Sequence, residues 1–324
     1  MLRVFGPGCP VKPVDADAFL PEVDKAVWID LLEPTREEEA LAEKLIGTNV
    51  PTREEMLEIE PSSRLYERNG VVFMTMSVVH GIRGGKPATD PVSFILSDNH
   101  LVTVRYIDPT PFVVFSEHVY AEPDLAADPL ILLVRLLDAI VDRLADELEE
   151  AGRAIESISN HVFERRTRER RNPELRYEAL MLRIGEVQRL LARLRESSVS
   201  TSRMLGFLSA LDRMGERESA RRHLKSLIGD ARALDDHSDF LAENLNFLLD
   251  ASLGMITLEQ NLVMKIFSVF AVVLMPPTLI AGVYGMNFDH MPELKWLYGY
   301  PWAMVLMLAS AIIPFMVARR RAWL

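Results

Sequence analysis

Two apolar runs near the C-terminus constrain this chain more than any other feature. One spans Ile266–Val283, the other about Trp302–Ala318, and neither contains a charged residue. Each approaches the about 20 apolar residues with which a helix crosses the hydrocarbon of a bilayer. A short link joins them and begins Tyr284-Gly285-Met286-Asn287-Phe288-Asp289. Everything upstream is a polar body attached to this hairpin.

The flanks of the runs orient the hairpin. Lys265 precedes the first, Arg319, Arg320 and Arg321 follow the second, and the link sets Asp289 and Glu293 against a single Lys295. Basic residues stay inside, so both termini are expected in the cytoplasm and the link outside. Trp296, Tyr298, Tyr300 and Trp302 would anchor the outer interface. The start of the chain has no apolar run of signal-peptide length, so insertion is expected to rely on the hairpin. With 324 residues, a formal net charge of -11 and one cysteine, Cys9, the chain reads as about two domains with no internal disulfide. The acidic balance argues against nucleic acid as a partner, because phosphate contacts need a basic face.

Residues 1–125 alternate short strands and helices and read as a cytoplasmic α/β domain with a mostly antiparallel sheet. Ala26–Leu32 is strand-like and ends at Glu33-Pro34, after which Thr35 caps a helix with acidic residues in its first turn. A second helix is expected from Thr52 to Glu60, stopped by Pro61. Val71–Val79 is β-branched and apolar, a buried strand. Val92–Leu96 and Leu101–Tyr106 form a hairpin around Ser97–His100. Gly81, Gly84 and Gly85 suit turn geometry, and the isolated His80 and His100 suit structural roles better than metal ligation. No GxGxxG, GxxxxGK[ST] or HExxH pattern is present, and no acid-base or nucleophile constellation suggests an enzyme.

Residues 126–265 are helical. Asp128-Pro129 is a cap followed by a first-turn proline. From there apolar residues recur at helical spacing to about Arg166. A basic turn, Arg165–Arg171, ends at Asn172-Pro173, where a second helix starts and runs to about Leu211. So short a turn predicts an antiparallel pair. The basic turn is either solvated or turned to a membrane or acidic surface. After Met214-Gly215 a third helix shows no stop until the membrane link. From Ser219 to Val283 it would measure ~100 Å at about 1.5 Å per residue. Asp235, Asp236, His237 and Asp239 splay around its axis, which favours a solvated acidic face over a metal cluster. Asp250 stands apart among Leu248, Leu249 and Leu253, where an acid needs a partner, a metal or a neighbouring subunit.

Residues 266–324 form the membrane part: spans at about 266–283 and 302–318, a loop at 284–301 and a basic tail at 319–324. Along the first span, Asn261, Met264, Phe267, Ala271, Met275, Thr278 and Gly282 recur every three or four residues on one stripe. Small and polar groups there fit either a conduction path or tight helix packing.

The link narrows the choice. Tyr284-Gly285-Met286-Asn287, the Met291–Trp296 run MPELKW, Gly299-Tyr300-Pro301 and the upstream Pro276-Pro277-Thr278 together resemble the CorA family of divalent-metal channels. The Ala26–Leu31 run resembles its enterobacterial type, so the likeness covers essentially the whole chain. It implies a homopentamer in the cell inner membrane that takes up Mg²⁺, with Co²⁺ and Ni²⁺ as further cargo. Gly285, Met286 and Asn287 would form the selectivity filter, with Asp289 and Glu293 at the outer mouth. Asn261, Met264, Phe267, Ala271, Met275, Thr278 and Gly282 would line the pore, Phe267 standing where the family has Leu or Met. Asp250 and, from the adjacent subunit, Glu55 would hold regulatory Mg²⁺. The competing readings are a zinc transporter of the same superfamily and a non-conducting, membrane-anchored oligomeric scaffold.

Overall fold

The computed structural model describes residues 1–6, 25–58, 60–163, 173–211, 217–286 and 291–320. Cys9, the basic turn at 165–172 and Met214-Gly215 lie outside them. The chain divides into two compact units, Met1–Leu248 and Leu249–Leu324.

The first unit is built on a six-stranded sheet. In chain order its elements are β1 (Leu2–Phe5), β2 (Trp28–Leu32), α1 (Arg36–Ile46), α2 (Arg53–Met56), α3 (Pro61–Arg64), β3 (Leu65–Arg68), β4 (Val71–His80), β5 (Ala88–Leu96), β6 (Leu101–Arg105), α4 (Thr110–Ala121), α5 (Pro129–Phe163) and α6 (Pro173–Ser209). The strand order is β1-β2-β6-β5-β4-β3. Among the described strands only β2 and β6 pair in parallel; the other neighbours are antiparallel, as the sequence suggests for most of the sheet.

Period-two alternation gives the sheet two apolar faces. Val4, Ile29, Leu31, Val71, Phe73, Ile95, Val102 and Val104 meet Ala42 and Ile46 of α1 and Met56 of α2 in one core. On the opposite face Phe5 stacks on Trp28 at 4.2 Å, Trp28 meets Phe115 at 5.8 Å, and Phe94 meets Phe112 at 6.0 Å. Within that second core lies a buried ion pair. Arg105 Nε and Nη2 donate to Asp30 Oδ1 and Oδ2 at 2.9 and 2.7 Å, and Thr103 Oγ1 donates to Asp30 Oδ1 at 2.7 Å. Trp28 Nε1 in turn donates to Thr103 Oγ1 at 3.0 Å, so each buried polar group in this chain of contacts has a partner. Burial alone would lower the Arg105 pKa, but hydrogen bonds and charge from Asp30 and Asp108 leave it raised above its ordinary value.

Local signals explain most element ends. Thr35 and Glu38 close a capping box on α1, and Gly47 ends the helix at φ 69°. Asp128 Oδ1 accepts from the amides of Leu130 and Ile131 at the start of α5. Gly81 has φ 72°, and a Cβ there would lie 2.5 Å from the Lys86 carbonyl oxygen, so the turn after β4 requires glycine. Both histidines are held structurally: His80 Nε2 sits 2.7 Å from Asp90 Oδ2, and His100 Nδ1 sits 2.6 Å from the Ala26 carbonyl. One element departs from the sequence reading. The expected helix from Thr52 to Glu60 is a single turn, α2, and Pro61 opens α3 instead of stopping a helix. Proline lacks an N–H wherever it sits, and the first turn of a helix is where that is harmless.

β3 covers β4 only from Val71 to Met74. Beyond it α6 takes over: Ser200 Oγ accepts from the Ser77 amide at 2.9 Å, which satisfies part of an otherwise open strand edge.

The third long helix, α7 (Glu218–Tyr284), runs unbroken for 67 residues and carries Pro276 and Pro277 inside it. Its part up to Leu248 belongs to the first unit. There Asp235 accepts from Ser198 and Ser202 of α6 at 2.5 and 2.7 Å, and Asp239 pairs with Arg195 at 2.9 Å. His237 instead stacks on Phe240. Asp235 and Asp239 therefore join α7 to α6. The last helix, α8 (Gly299–Arg320), follows a 3-10 turn at Pro292–Lys295.

Candidate functional site

Among the described residues two helices are long and apolar enough to cross a membrane: α7, with a window of mean hydropathy 2.2, and α8, with one of 2.0. Only 6% of each window is buried within the chain. An apolar surface this continuous and this open needs lipid or other protein around it.

The exposure that remains is not uniform. On α7 from Asn261 onward the sheltered positions are Val269, Val273, Pro276, Pro277, Ile280 and Tyr284; on α8 they are Gly299, Ala303, Met307, Ala309, Ser310, Ala311, Pro314 and Ala318. Steps of three and four residues put most of each set on one stripe of its helix. Val269 and Ala318, at 8% and 7% exposure, are the most enclosed.

The stripe singled out from the sequence lies on a different face of α7. Asn261, Met264, Phe267, Ala271, Met275, Thr278 and Gly282 are all exposed, with Met264 at 66% and Phe267 and Met275 at 68%. Phe267, Phe270, Ala271, Met275, Thr278 and Gly282 border a shallow, mostly apolar groove along the helix. Thr278 Oγ1 donates to the Leu274 carbonyl at 2.8 Å, which spends its proton on the helix and leaves oxygen lone pairs facing outward. The seven residues thus form one open, charge-free surface that ends where α7 ends.

At that end the Gly285 amide donates to the Ala281 carbonyl at 2.9 Å and the Met286 amide to Val283 at 3.3 Å, so the first two filter candidates continue directly from the helix. Asn287 and Asp289 lie outside the described residues, and Glu293 falls in the 3-10 turn. Past the turn Trp296 meets Tyr298 edge-on at 6.2 Å, and the Trp302 amide donates to the Tyr298 carbonyl as α8 begins. Arg319 and Arg320 close α8; Arg321 lies beyond the described residues.

The two regulatory candidates belong to different units. Glu55 is the third residue of a capping box on α2, with Oε2 accepting from the Thr52 amide at 2.7 Å and its hydroxyl at 3.0 Å. It borders a small polar cavity of about 180 Å³ with Glu58, Ser63, Tyr66, Thr75 and Ser93. Burial raises the Tyr66 pKa, and the Glu55 charge adds to it. Asp250 is exposed on α7, beside the buried Leu248. Among the described residues no three His, Cys, Asp or Glu side chains converge as a metal cluster.

Sequence reasoning missed the Asp30–Arg105 pair and the serines of α6. Opposite charges inside two apolar strands were the signal for the first. The serine-rich run from Ser197 to Ser202 was the signal for the second.

An α/β domain followed by long helices, the last two apolar and exposed, defines a membrane protein with two transmembrane helices. A family model described as CorA-like Mg²⁺ transporter protein matches residues 23–320. The Magnesium transport protein CorA of Escherichia coli is 32% identical over 301 residues, 92% of each chain. That of Salmonella typhimurium is 31% identical over the same span. The complete structure of the CorA magnesium transporter from Methanocaldococcus jannaschii shares the fold, with a TM-score of 0.76 at 20% identity over 92% of this chain and 91% of that one. The chain belongs to the CorA-like Mg²⁺ transporter family.

Proposed function

We propose that this protein is a Mg²⁺ uptake channel, also passing Co²⁺ and Ni²⁺, that works as a homopentamer in the cell inner membrane with both termini in the cytoplasm. The observation that carries the reading is the exposed Asn261–Gly282 stripe, which is charge-free and runs straight into Gly285 and Met286. Two spans enclose no aqueous path, so copies of α7 must surround one, each turning this stripe inward.

The filter chemistry suits magnesium. Mg²⁺ dehydrates reluctantly. A ring of Asn287 amide oxygens with the backbone of Gly285 and Met286 would accept hydrogen bonds from its water shell without stripping it. Carboxylates at that point would favour direct coordination and trapping. Asp289 and Glu293 near the mouth would raise the local cation concentration through their field. Below the filter, Thr278 and Asn261 would form polar rings. Met264, Phe267 and Met275 would form apolar constrictions. No nucleotide need be hydrolysed, because a divalent cation gains about 4.6 kcal/mol per 100 mV of inside-negative potential.

Regulation follows from the same cargo. Mg²⁺ held between Asp250 and Glu55 of adjacent subunits would lock the α7 helices when internal Mg²⁺ is high and release them on depletion. The test of the conduction reading is Mg²⁺ uptake into proteoliposomes by the wild type and by Asn287→Ala. Uptake lost in the variant, with the oligomer intact, supports it. Unchanged uptake, or flux of Zn²⁺ alone, refutes it.

A further inference from the structure

We propose that the end of the helix hairpin bearing Lys265, Arg319 and Arg320 is a binding site for the phosphate of an anionic phospholipid. The inference rests on the reading of α7 and α8 as transmembrane helices. It is independent of what, if anything, passes between them.

Three observations lead to it. The most enclosed residues of the two apolar stretches are Val269 and Ala318. In an antiparallel hairpin both lie toward the end away from the link between Tyr284 and Gly299. Lys265 lies one helical turn before Val269, and Arg319 and Arg320 follow Ala318 directly. At about 1.5 Å of rise per residue, the three cationic side chains leave the two helices within roughly one turn of a common level.

All three are exposed. No acidic residue occurs from Asn261 to Met286 or from Gly299 to Arg320. Within these stretches the positive charge has no acidic neighbour in sequence, and it sits at the edge of the apolar surface.

A ligand for this place needs a negative head and an apolar body. The guanidinium groups offer paired donors that match phosphate oxygens, and the lysine stem can lie along apolar surface while its ammonium reaches the same group. The acyl chains would follow the exposed aliphatic side chains of α8, among them Val317, Ile313 and Ile312. Free inorganic phosphate satisfies the head but leaves this apolar surface uncovered. A lipid covers both, and it would fasten the inner end of α7 to its surroundings.

The test is native mass spectrometry of the full-length protein released from vesicles of phosphatidylglycerol and phosphatidylcholine. The wild type is expected to retain phosphatidylglycerol over phosphatidylcholine by roughly ten-fold. The combined variant Lys265→Gln, Arg319→Gln, Arg320→Gln is expected to lose that preference while retaining phosphatidylcholine as before. Arg319→Lys with Arg320→Lys keeps the charge and should keep most of the preference, which guards against a folding defect in the first variant. Equal retention of the two lipids by the wild type would overturn the proposal, as would an undiminished preference in the glutamine variant. Displacement of phosphatidylglycerol by millimolar inorganic phosphate would overturn it as well. A protein that washes off vesicles altogether would instead refute the transmembrane reading beneath it.

Discussion

Replacing Asp30 with alanine should destabilise the α/β domain far more than a typical single substitution. In the native chain the Asp30 carboxylate holds three donors, and the Arg105 side chain is 0% exposed. Removing the carboxylate strands a buried guanidinium with only Asp108, the Ile107 carbonyl and the face of Phe112 to answer its charge. It also leaves the Thr103 hydroxyl without its acceptor. Breaking one side of such a pair costs about 3–5 kcal/mol, most of it the uncompensated charge. At about 1.4 kcal/mol per decade this is between two and four orders of magnitude in the opening equilibrium. Native-state hydrogen exchange on the detergent-solubilised full-length chain reads that quantity directly at the amides of β2 and β6, which flank the pair. A second variant separates charge from shape. Asp30→Leu combined with Arg105→Met removes both charges and should recover much of the loss, because replacing both partners by apolar groups is often nearly neutral. A cost below about 1 kcal/mol for Asp30→Ala would refute the reasoning. So would a double variant no more stable than the single ones.

Two further outcomes follow from other parts of the chain. Glu147 of α5 is 2% exposed, its Oε1 pairs with Arg143 and its Oε2 has no partner among the described residues. Burial raises its pKa, with Arg143 pulling the other way. The folded chain thus holds this proton more tightly than the unfolded chain, so its stabilising effect is complete below the ordinary carboxyl range and is lost as pH rises through the raised value. Glu147→Gln should therefore gain stability relative to the wild type as pH increases from about 4 to 8, read from unfolding midpoints; a gain that shrinks with pH contradicts this. For the regulatory reading, Asp250→Ala channels should keep conducting when Mg²⁺ inside proteoliposomes is raised to a level that closes the wild type, and normal closure would remove Asp250 from the gate.

Local signals made much of this architecture legible. The two apolar runs, the Thr35 and Asp128 caps and the hairpin around Ser97–His100 depend on neighbours within a few residues, and each stands where its sequence puts it. Pro61 shows the limit of that logic, since a proline that reads as a helix stop instead opens α3. Long-range pairing is harder. Nothing near Trp28 or Leu101 says that β2 and β6 lie side by side in parallel, about seventy residues apart in sequence. Yet the ion pair that fastens them left a trace, one acid and one base each embedded in an apolar strand. In the candidate site, the stripe on α7 was readable from spacing alone. Which face of α7 is sheltered was not, because Val269, Val273 and Ile280 look as lipid-ready as Leu274 or Leu279 until their burial is seen. Asp235 and Asp239 were readable as helix-surface acids, but their serine and arginine partners lie on α6, more than thirty residues away.

The most direct test of the central claim is Mg²⁺ accumulation by the purified wild-type protein in sealed liposomes under an imposed potential, with no nucleotide present. At 100 mV, inside negative, the driving force of about 4.6 kcal/mol corresponds to an equilibrium accumulation of roughly 2,000-fold. The account predicts rapid Mg²⁺ uptake whose extent rises with the potential and which collapses when the potential is dissipated. Uptake that ignores the potential, or none above protein-free liposomes, would contradict it.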